Sequence, residues 1–298
     1  MAELSVRPLT GVIGAEAEGV DLRDLDDDTV AALRAALLDH LVLFFRTQPI
    51  TPAEQLAFAE RFAPVMMPLI DVPATDVPGV TVLDQVNPKG QYTERWHADS
   101  TNLAEPPFGA VLRAVTVPSV GGDTCWASMV AAYETLSPTM QGFLEGLTAE
   151  HSTAILDEAL SKVPNLVRRD GGLPPSHHPV VRVHPETGRK VLFVNSNFTT
   201  RIDGLSEAES AAVLRLLVAH VRSPELQVRF RWTPGAVALW DNRATQHCAI
   251  SDYTERRVMH RCMMAGDRPV GAAAGRPGQV PSSATRSATT PVTNRKVS

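Results

Sequence analysis

Between Asp26 and His40 the apolar residues Val30, Leu33, Ala36 and Leu37 recur at helical spacing, and a continuous apolar run follows over residues 41–45. The pattern predicts a helix leading into a buried strand. Thr51-Pro52-Ala53-Glu54 places a capping hydroxyl, a proline at the first helical position and a glutamate three residues on, which predicts a helix running to about residue 62. Ser206-Glu207-Ala208-Glu209 repeats the capping logic ahead of a helix over 211–221. All three helices carry one apolar stripe and belong on a surface.

Short apolar or alternating runs at 80–83, 110–115, 123–127, 180–184, 191–194, 228–232, 237–240 and 258–264 read as strands, separated by Pro, Gly, Asn and Asp at turn positions. Many short strands with few helices predict a mainly β protein with flanking helices, an α+β chain built on a two-sheet roll. Residues 152–178 show no clear periodicity and read as a long loop beside the core. From residue 270 the composition turns to Gly, Ala, Ser, Thr and Pro, too poor in apolar surface to offset the entropy of ordering. The expected organisation is one domain over 1–269 and a disordered tail over 270–298.

Composition narrows the function classes. The 298 residues carry a net charge of −5 and a pI near 6.0, with basic residues scattered, which argues against nucleic acid and against an anionic membrane as partners. Three cysteines, Cys125, Cys248 and Cys262, neither frame a disulfide scaffold nor pair at metal-finger spacing. The N-terminus lacks a charged start followed by an apolar stretch, and the densest apolar run is far shorter than a membrane span, so a cytoplasmic, soluble protein is expected. The expected partner is a small molecule, and assembly into a dimer or tetramer stays open.

The candidate chemistry begins at His97-Ala98-Asp99. If this stretch ends a strand, alternation puts both side chains on one face, within reach of one ion. His-x-Asp is a common pattern and needs a third ligand. Of the nine histidines, His40 and His220 fall in helical patterns, His177 and His178 in a polar loop, and His184 before a Pro-Glu-Thr-Gly turn. His151 either lines a pocket or is a satisfied buried histidine. His260 alternates with its arginine neighbours and points away from them. His247, just beyond an apolar strand and a polar turn, is the best-placed third ligand. Two imidazoles and a carboxylate on one face suit a redox-active iron with open positions for dioxygen and an organic co-substrate. Arg257 and Arg261, four apart in a strand pattern, share a face and offer guanidinium groups to a carboxylate; their alternative is two solvated charges.

Several blocks in one order resemble the taurine dioxygenase (TauD/TfdA) family of Fe(II)- and 2-oxoglutarate-dependent dioxygenases. They are Trp96-His97-Ala98-Asp99-Ser100, Gly121-Gly122-Asp123-Thr124-Cys125-Trp126, the run from His178 to Gly188, Leu192-Phe193-Val194-Asn195 with Phe198-Thr199-Thr200-Arg201-Ile202, the run from Trp240 to His247, and the run from Arg256 to Arg261. The resemblance covers residues 6 to 268 and implies a double-stranded β-helix, the jelly roll of cupin-like proteins. It implies His97, Asp99 and His247 as iron ligands, Thr124 and Arg257 as contacts to the 2-oxoglutarate carboxylate far from the metal, and Arg261 as the pocket arginine near substrate and co-substrate. It further implies oxygen insertion with release of succinate and carbon dioxide. Related halogenases carry a small residue where Asp99 stands, so the carboxylate favours oxygenation.

The substrate region departs from taurine-cleaving members. Where they carry a histidine and a tyrosine, this chain reads Met66-Met67-Pro68-Leu69-Ile70, with Met67 and Ile70 at the matching positions, and a sulfonate loses a donor. The expected pocket is more apolar, walled by Met66, Met67, Leu69, Ile70 and Phe198, although the methionines read equally as core filling. A substrate with an anionic end and an apolar body follows: a sulfonate, a sulfate ester or an aryloxyalkanoate, with taurine itself disfavoured. The alternatives are a biosynthetic oxygenase that hydroxylates, desaturates or closes rings on an amino-acid-like or natural-product substrate, and a metal-binding β-roll without catalysis.

Overall fold

The computed structural model describes residues 4–68, 73–88, 92–156 and 174–272. Its helices begin where their caps predict. Asp26 accepts from the Thr29 amide at 2.7 Å to open α1 (Asp27–His40), and α2 (Pro52–Glu60) starts on a complete capping box between Thr51 and Glu54. Two short helices, α3 (Met129–Glu134) and α4 (Pro138–Leu144), were not anticipated; each is opened by a serine cap, Ser128 or Ser137. The capping box of Ser206 and Glu209 opens α5 (Glu207–Val221).

Sixteen strands are described: β1 (Ser5–Pro8), β2 (Ala15–Glu18), β3 (Val42–Phe45), β4 (Thr81–Val86), β5 (Gly109–Thr116), β6 (Thr124–Ser128), β7 (Thr148–His151), β8 (Ser176–Pro179), β9 (Val181–Val183), β10 (Lys190–Leu192), β11 (Thr199–Ile202), β12 (Gln227–Phe230), β13 (Val237–Asp241), β14 (Thr245–Ala249), β15 (Arg256–Met264) and β16 (Val270–Gly271). Seven form one sheet in the order β1-β2-β3-β13-β5-β15-β4, facing three-stranded sheets ordered β12-β6-β14, β11-β7-β8 and β10-β9-β16. This is a jelly roll with flanking helices, the mainly β architecture expected.

The large sheet is buried on both faces, which is why its central strands read as unbroken apolar runs. Phe44 of β3, Ala238 and Trp240 of β13 and Met259 of β15 enter the roll interior, where Phe44 stacks on Phe230 with ring centroids 4.0 Å apart. Leu43, Phe45, Val237, Leu239, Cys262 and Met264 face the other way, against Leu33 and Leu37 of α1 and Phe58 of α2. Strand alternation therefore sorts the two cores, and it sends Arg257 and Arg261 to the same side as Met259.

Two expectations change. His177 and His178 lie in β8, paired with β7, so the predicted loop over 152–178 contains a strand; residues 157–173 of that loop lie outside the described residues. Val270–Gly271 pairs with β9 and Ala272 is buried, so the fold continues past residue 269. Residues 273–298 of the expected tail lie outside the described residues. Among the described residues no helix is long and apolar enough to cross a membrane.

Candidate active site

His247 sits in the middle of β14, at the edge of its sheet, opposite Trp126 of β6. Its other edge is taken by His97: the His97 amide donates to the His247 carbonyl at 3.0 Å and the His247 amide to the His97 carbonyl at 2.8 Å. This is an isolated antiparallel bridge, so His97 and Asp99 do not end a regular strand as the alternation had suggested. The stretch is a strap that follows a 3-10 turn at Tyr92–Glu94 and ends at Ser100, whose φ of 49° is left-handed. The backbone bridge, and not strand pleat, brings the two histidines together.

One donor atom from each of His97, Asp99 and His247 lies within 4.8 Å of the others, and all three residues are buried. His97 Nε2 is 3.9 Å from Asp99 Oδ1, and His247 Nε2 is 3.9 Å from Asp99 Oδ2. His97 Nδ1 lies 2.7 Å from the Arg95 carbonyl, which only accepts, so Nδ1 carries the proton and Nε2 keeps its lone pair. Burial pushes the His247 pKa down to about 3 and that of His97 below its ordinary value, so both imidazoles are neutral. Burial alone would raise the Asp99 carboxyl, but the Arg261 guanidinium beside it outweighs burial and holds the group below the usual carboxylate range. Asp99 Oδ2 has no hydrogen-bond partner among the described residues. A buried, ionised carboxylate facing two neutral imidazoles is a donor set that fits a divalent cation of borderline softness such as iron(II).

A second group of residues surrounds a buried guanidinium. Arg257 is 4% exposed, donates Nε to the Gly122 carbonyl at 3.0 Å and places Nη2 3.3 Å from Thr124 Oγ1; among the described residues it forms no ion pair. Burial draws its pKa below the usual guanidinium value, the mark of a cation short of a counter-charge. Gly122 has φ +73°, and a Cβ there would meet Pro118 Cγ at 2.8 Å, so the tight Gly121-Gly122 turn needs glycine to present its carbonyl to Arg257. Arg261 reaches the triad itself, with Nη1 3.2 Å from Asp99 Oδ1, while its buried Nε has no partner among the described residues. His260 faces the opposite side, 3.5 Å from Arg113 Nη1, as alternation predicts.

Five of the remaining histidines have side-chain partners, His177 Nδ1 lying 2.7 Å from Asp203 Oδ2. His151 is fully buried with Nδ1 2.9 Å from Thr101 Oγ1, the satisfied reading of the two left open. His178 Nε2 meets the Leu103 carbonyl, His184 Nε2 lies 3.0 Å from Asp241 Oδ2, and His220 Nε2 is 3.0 Å from the Ala132 carbonyl. Of the expected pocket walls, Phe198 is buried with its amide on Asn195 Oδ1 at 3.0 Å. Met66 is tied to β15 through the Met263 carbonyl, and Met67 is 55% exposed, which excludes core filling for that residue. Leu69 and Ile70 lie outside the described residues.

Two residues escaped the sequence reading. Trp232, just past β12, donates its indole N–H to Thr124 Oγ1 at 3.0 Å. Asn242, inside the quoted Trp240 to His247 block, hydrogen-bonds the backbone of Asp99. Neither is signalled by spacing, because both partners are distant in sequence.

Residues 5–263 match the family model described as "Taurine catabolism dioxygenase TauD, TfdA family". The chain is 41% identical over 282 residues to an alpha-ketoglutarate-dependent sulfate ester dioxygenase of Pseudomonas putida, covering 90% of this chain and 92% of that one. It is 39% identical over 287 residues to an alkylsulfatase of Acinetobacter baylyi, covering 91% and 87%. A crystal structure of a taurine dioxygenase from Burkholderia xenovorans superimposes with a TM-score of 0.77 at 39% identity, covering 90% and 93%.

Proposed function

This chain belongs to the taurine catabolism dioxygenase TauD, TfdA family, and we propose that it is an iron(II)- and 2-oxoglutarate-dependent dioxygenase that hydroxylates small anionic organic substrates, alkyl sulfate esters foremost. The observation that carries the reading is the convergence of His97, Asp99 and His247 within 4.8 Å beside a buried arginine that has no ion-pair partner among the described residues. A metal-binding roll without catalysis has no use for Arg257 and Thr124.

When bound, iron(II) with 2-oxoglutarate and dioxygen supplies an oxidant that replaces C–H by C–OH, the co-substrate leaving as succinate and carbon dioxide. The protein's own work is placement. His97, Asp99 and His247 would hold the ion. Arg257 and Thr124 receive the far carboxylate of 2-oxoglutarate, a charge-assisted contact in a buried setting. Arg261 partly neutralises Asp99 and keeps donors for the sulfate end of the substrate. Phe198 and Met66 offer apolar surface to the alkyl body, and buried Trp240, whose ring centroid is 5.1 Å from that of His247, helps exclude water beside the metal ligands.

Sulfate ester relatives and the absence of a sulfonate-binding histidine at Met67 both favour a sulfate ester over taurine. Hydroxylation at the carbon bearing the ester oxygen makes R–CH(OH)–O–SO3⁻. The C–O bond to sulfate then breaks, the hydroxyl loses its proton, and an aldehyde and hydrogen sulfate result.

The test is a succinate-release screen with iron(II), 2-oxoglutarate and alkyl sulfates of increasing length, run beside taurine, other alkyl sulfonates and aryloxyalkanoates. The expected outcome is succinate and aldehyde in equal amounts from an alkyl sulfate, with taurine near the blank. Folded protein that forms no succinate above blank with any of these classes overturns the reading.

A further inference from the structure

We infer that Asn242 is the positioning residue for Asp99: its carboxamide clamps the Asp99 backbone and thereby aims the carboxylate at the two histidines. The inference rests on the reading of His97, Asp99 and His247 as metal ligands.

Asn242 is 2% exposed and opens the turn between β13 and β14. Its Oδ1 accepts the Asp99 amide at 2.8 Å, and its Nδ2 donates to the Asp99 carbonyl at 3.1 Å and to the Pro107 carbonyl at 3.3 Å. One side chain thus satisfies both backbone groups of a residue 143 positions away. A primary amide is the only neutral side-chain end that accepts and donates at once in this fork, and glutamine would be one methylene too long.

The base of the clamp is rigid. Asp241, fully buried, accepts the Arg243 amide at 2.9 Å within the turn and is gripped by the Arg243 guanidinium and by His184 Nε2 at 3.0 Å. The Asn242 amide itself donates to the Phe108 carbonyl at 2.9 Å. The other end needs holding, because Ser100, next to Asp99, has a left-handed φ of 49° that a non-glycine residue keeps only under restraint.

The three ligands are therefore held by different devices. His247 belongs to β14, and His97 is bridged to it through two backbone hydrogen bonds. Asp99 lies two residues beyond that bridge, and its backbone depends on Asn242. Removing the carboxamide should leave both imidazoles in place and loosen the Asp99 backbone, leaving the carboxylate to the Arg261 contact at 3.2 Å.

The test is Co(II) titration of the full-length protein, read by visible absorption, for wild type, Asn242→Ala, Asn242→Asp, Asp99→Ala and Asn242→Ala/Asp99→Ala, beside thermal unfolding without metal. Asn242→Asp keeps an acceptor for the Asp99 amide but sets a carboxylate against two carbonyls, so it fails as a donor while preserving shape. We expect both single Asn242 variants to weaken Co(II) binding about 10- to 100-fold and to change the band shape toward that of Asp99→Ala. In the Asp99→Ala background, Asn242→Ala should add less than about twofold.

A fall in the unfolding midpoint with unchanged Co(II) affinity overturns the inference and leaves Asn242 merely structural. Additive losses in the double variant overturn it as well, since Asn242 would not act through Asp99. Unchanged affinity in Asp99→Ala itself refutes the ligand triad, and the inference falls with it. Should Asn242→Ala fail to fold, Asn242→Asp carries the comparison.

Discussion

Trp232 donates its indole N–H to Thr124 Oγ1 at 3.0 Å, and Arg257 Nη2 approaches the same oxygen at 3.3 Å. Two donors occupy the hydroxyl's lone pairs, so its own proton must point elsewhere, toward any anion lying against Arg257. Trp232 thereby sets which way Thr124 donates.

Replacing Trp232 with Phe keeps the ring and removes the donor. The apparent KM for 2-oxoglutarate should rise about fivefold, the worth of one neutral hydrogen bond of about 1 kcal/mol, with kcat little changed. Steady-state kinetics at saturating substrate check this; a fall in kcat with KM unmoved would show that Trp232 does not act on the co-substrate.

Arg257→Lys should raise the KM for 2-oxoglutarate by about 10- to 100-fold, since a charge-assisted contact is worth roughly 1.5–3 kcal/mol and an ammonium cannot reproduce the fork. Arg257 is almost fully buried. The same variant should leave Co(II) affinity close to wild type, because Arg257 is hydrogen-bonded to Gly122 and Thr124 and not to the triad. A large loss of Co(II) binding would mean that the two sites are not separable.

Arg261 contacts Asp99 and keeps a buried Nε without a partner among the described residues. Arg261→Gln should raise the KM for an alkyl sulfate more than that for 2-oxoglutarate. A rise confined to the KM for 2-oxoglutarate would place Arg261 on the co-substrate alone.

Stability should fall on the acid side of neutrality. Burial, reinforced by His178 and His177, pushes the His151 pKa down to about 3, against about 6.5 in an unfolded chain. Folding then excludes a proton that the unfolded chain binds: the contribution of neutral His151 is complete above pH 6.5 and shrinks as pH drops from there toward 3. The slope approaches about 1.4 kcal/mol per pH unit for each such histidine. His97, His178, His247 and His260 are likewise held low by burial, so several add. Urea midpoints at pH 7 and pH 5 for wild type and His151→Gln separate the share of His151; an equal drop in both proteins would show that His151 contributes nothing.

Much of the scaffold was legible because its causes are local. Thr51 with Glu54 and Ser206 with Glu209 announce helix starts within four residues of chain, and the apolar stretch at β3 is readable because both faces of that strand are covered. Polar side chains hide a strand. Thr245 and Gln246 read as a polar turn with His247 just beyond it, yet all three form β14, where Thr245 Oγ1 donates to the Asp241 carbonyl at the start of that turn and Gln246 Nε2 to the Val194 carbonyl of a distant segment. His177 and His178, which read as a polar loop, lie in β8, with His177 Nδ1 2.7 Å from Asp203 Oδ2 and His178 Nε2 2.9 Å from the Leu103 carbonyl.

The sequence by itself determined the residue types of the site and the order in which they arrive: His97, Asp99, Thr124, His247, Arg257 and Arg261, set within a β pattern whose alternation already puts the two arginines on one face. Only the tertiary structure decided how those residues meet. The bridge between His97 and His247, the hold of Asn242 on Asp99 and the hold of Trp232 on Thr124 join positions more than 100 residues apart. Such contacts are made by closure of the roll and leave no periodic trace along the chain, whereas caps and strand alternation arise from neighbours and do.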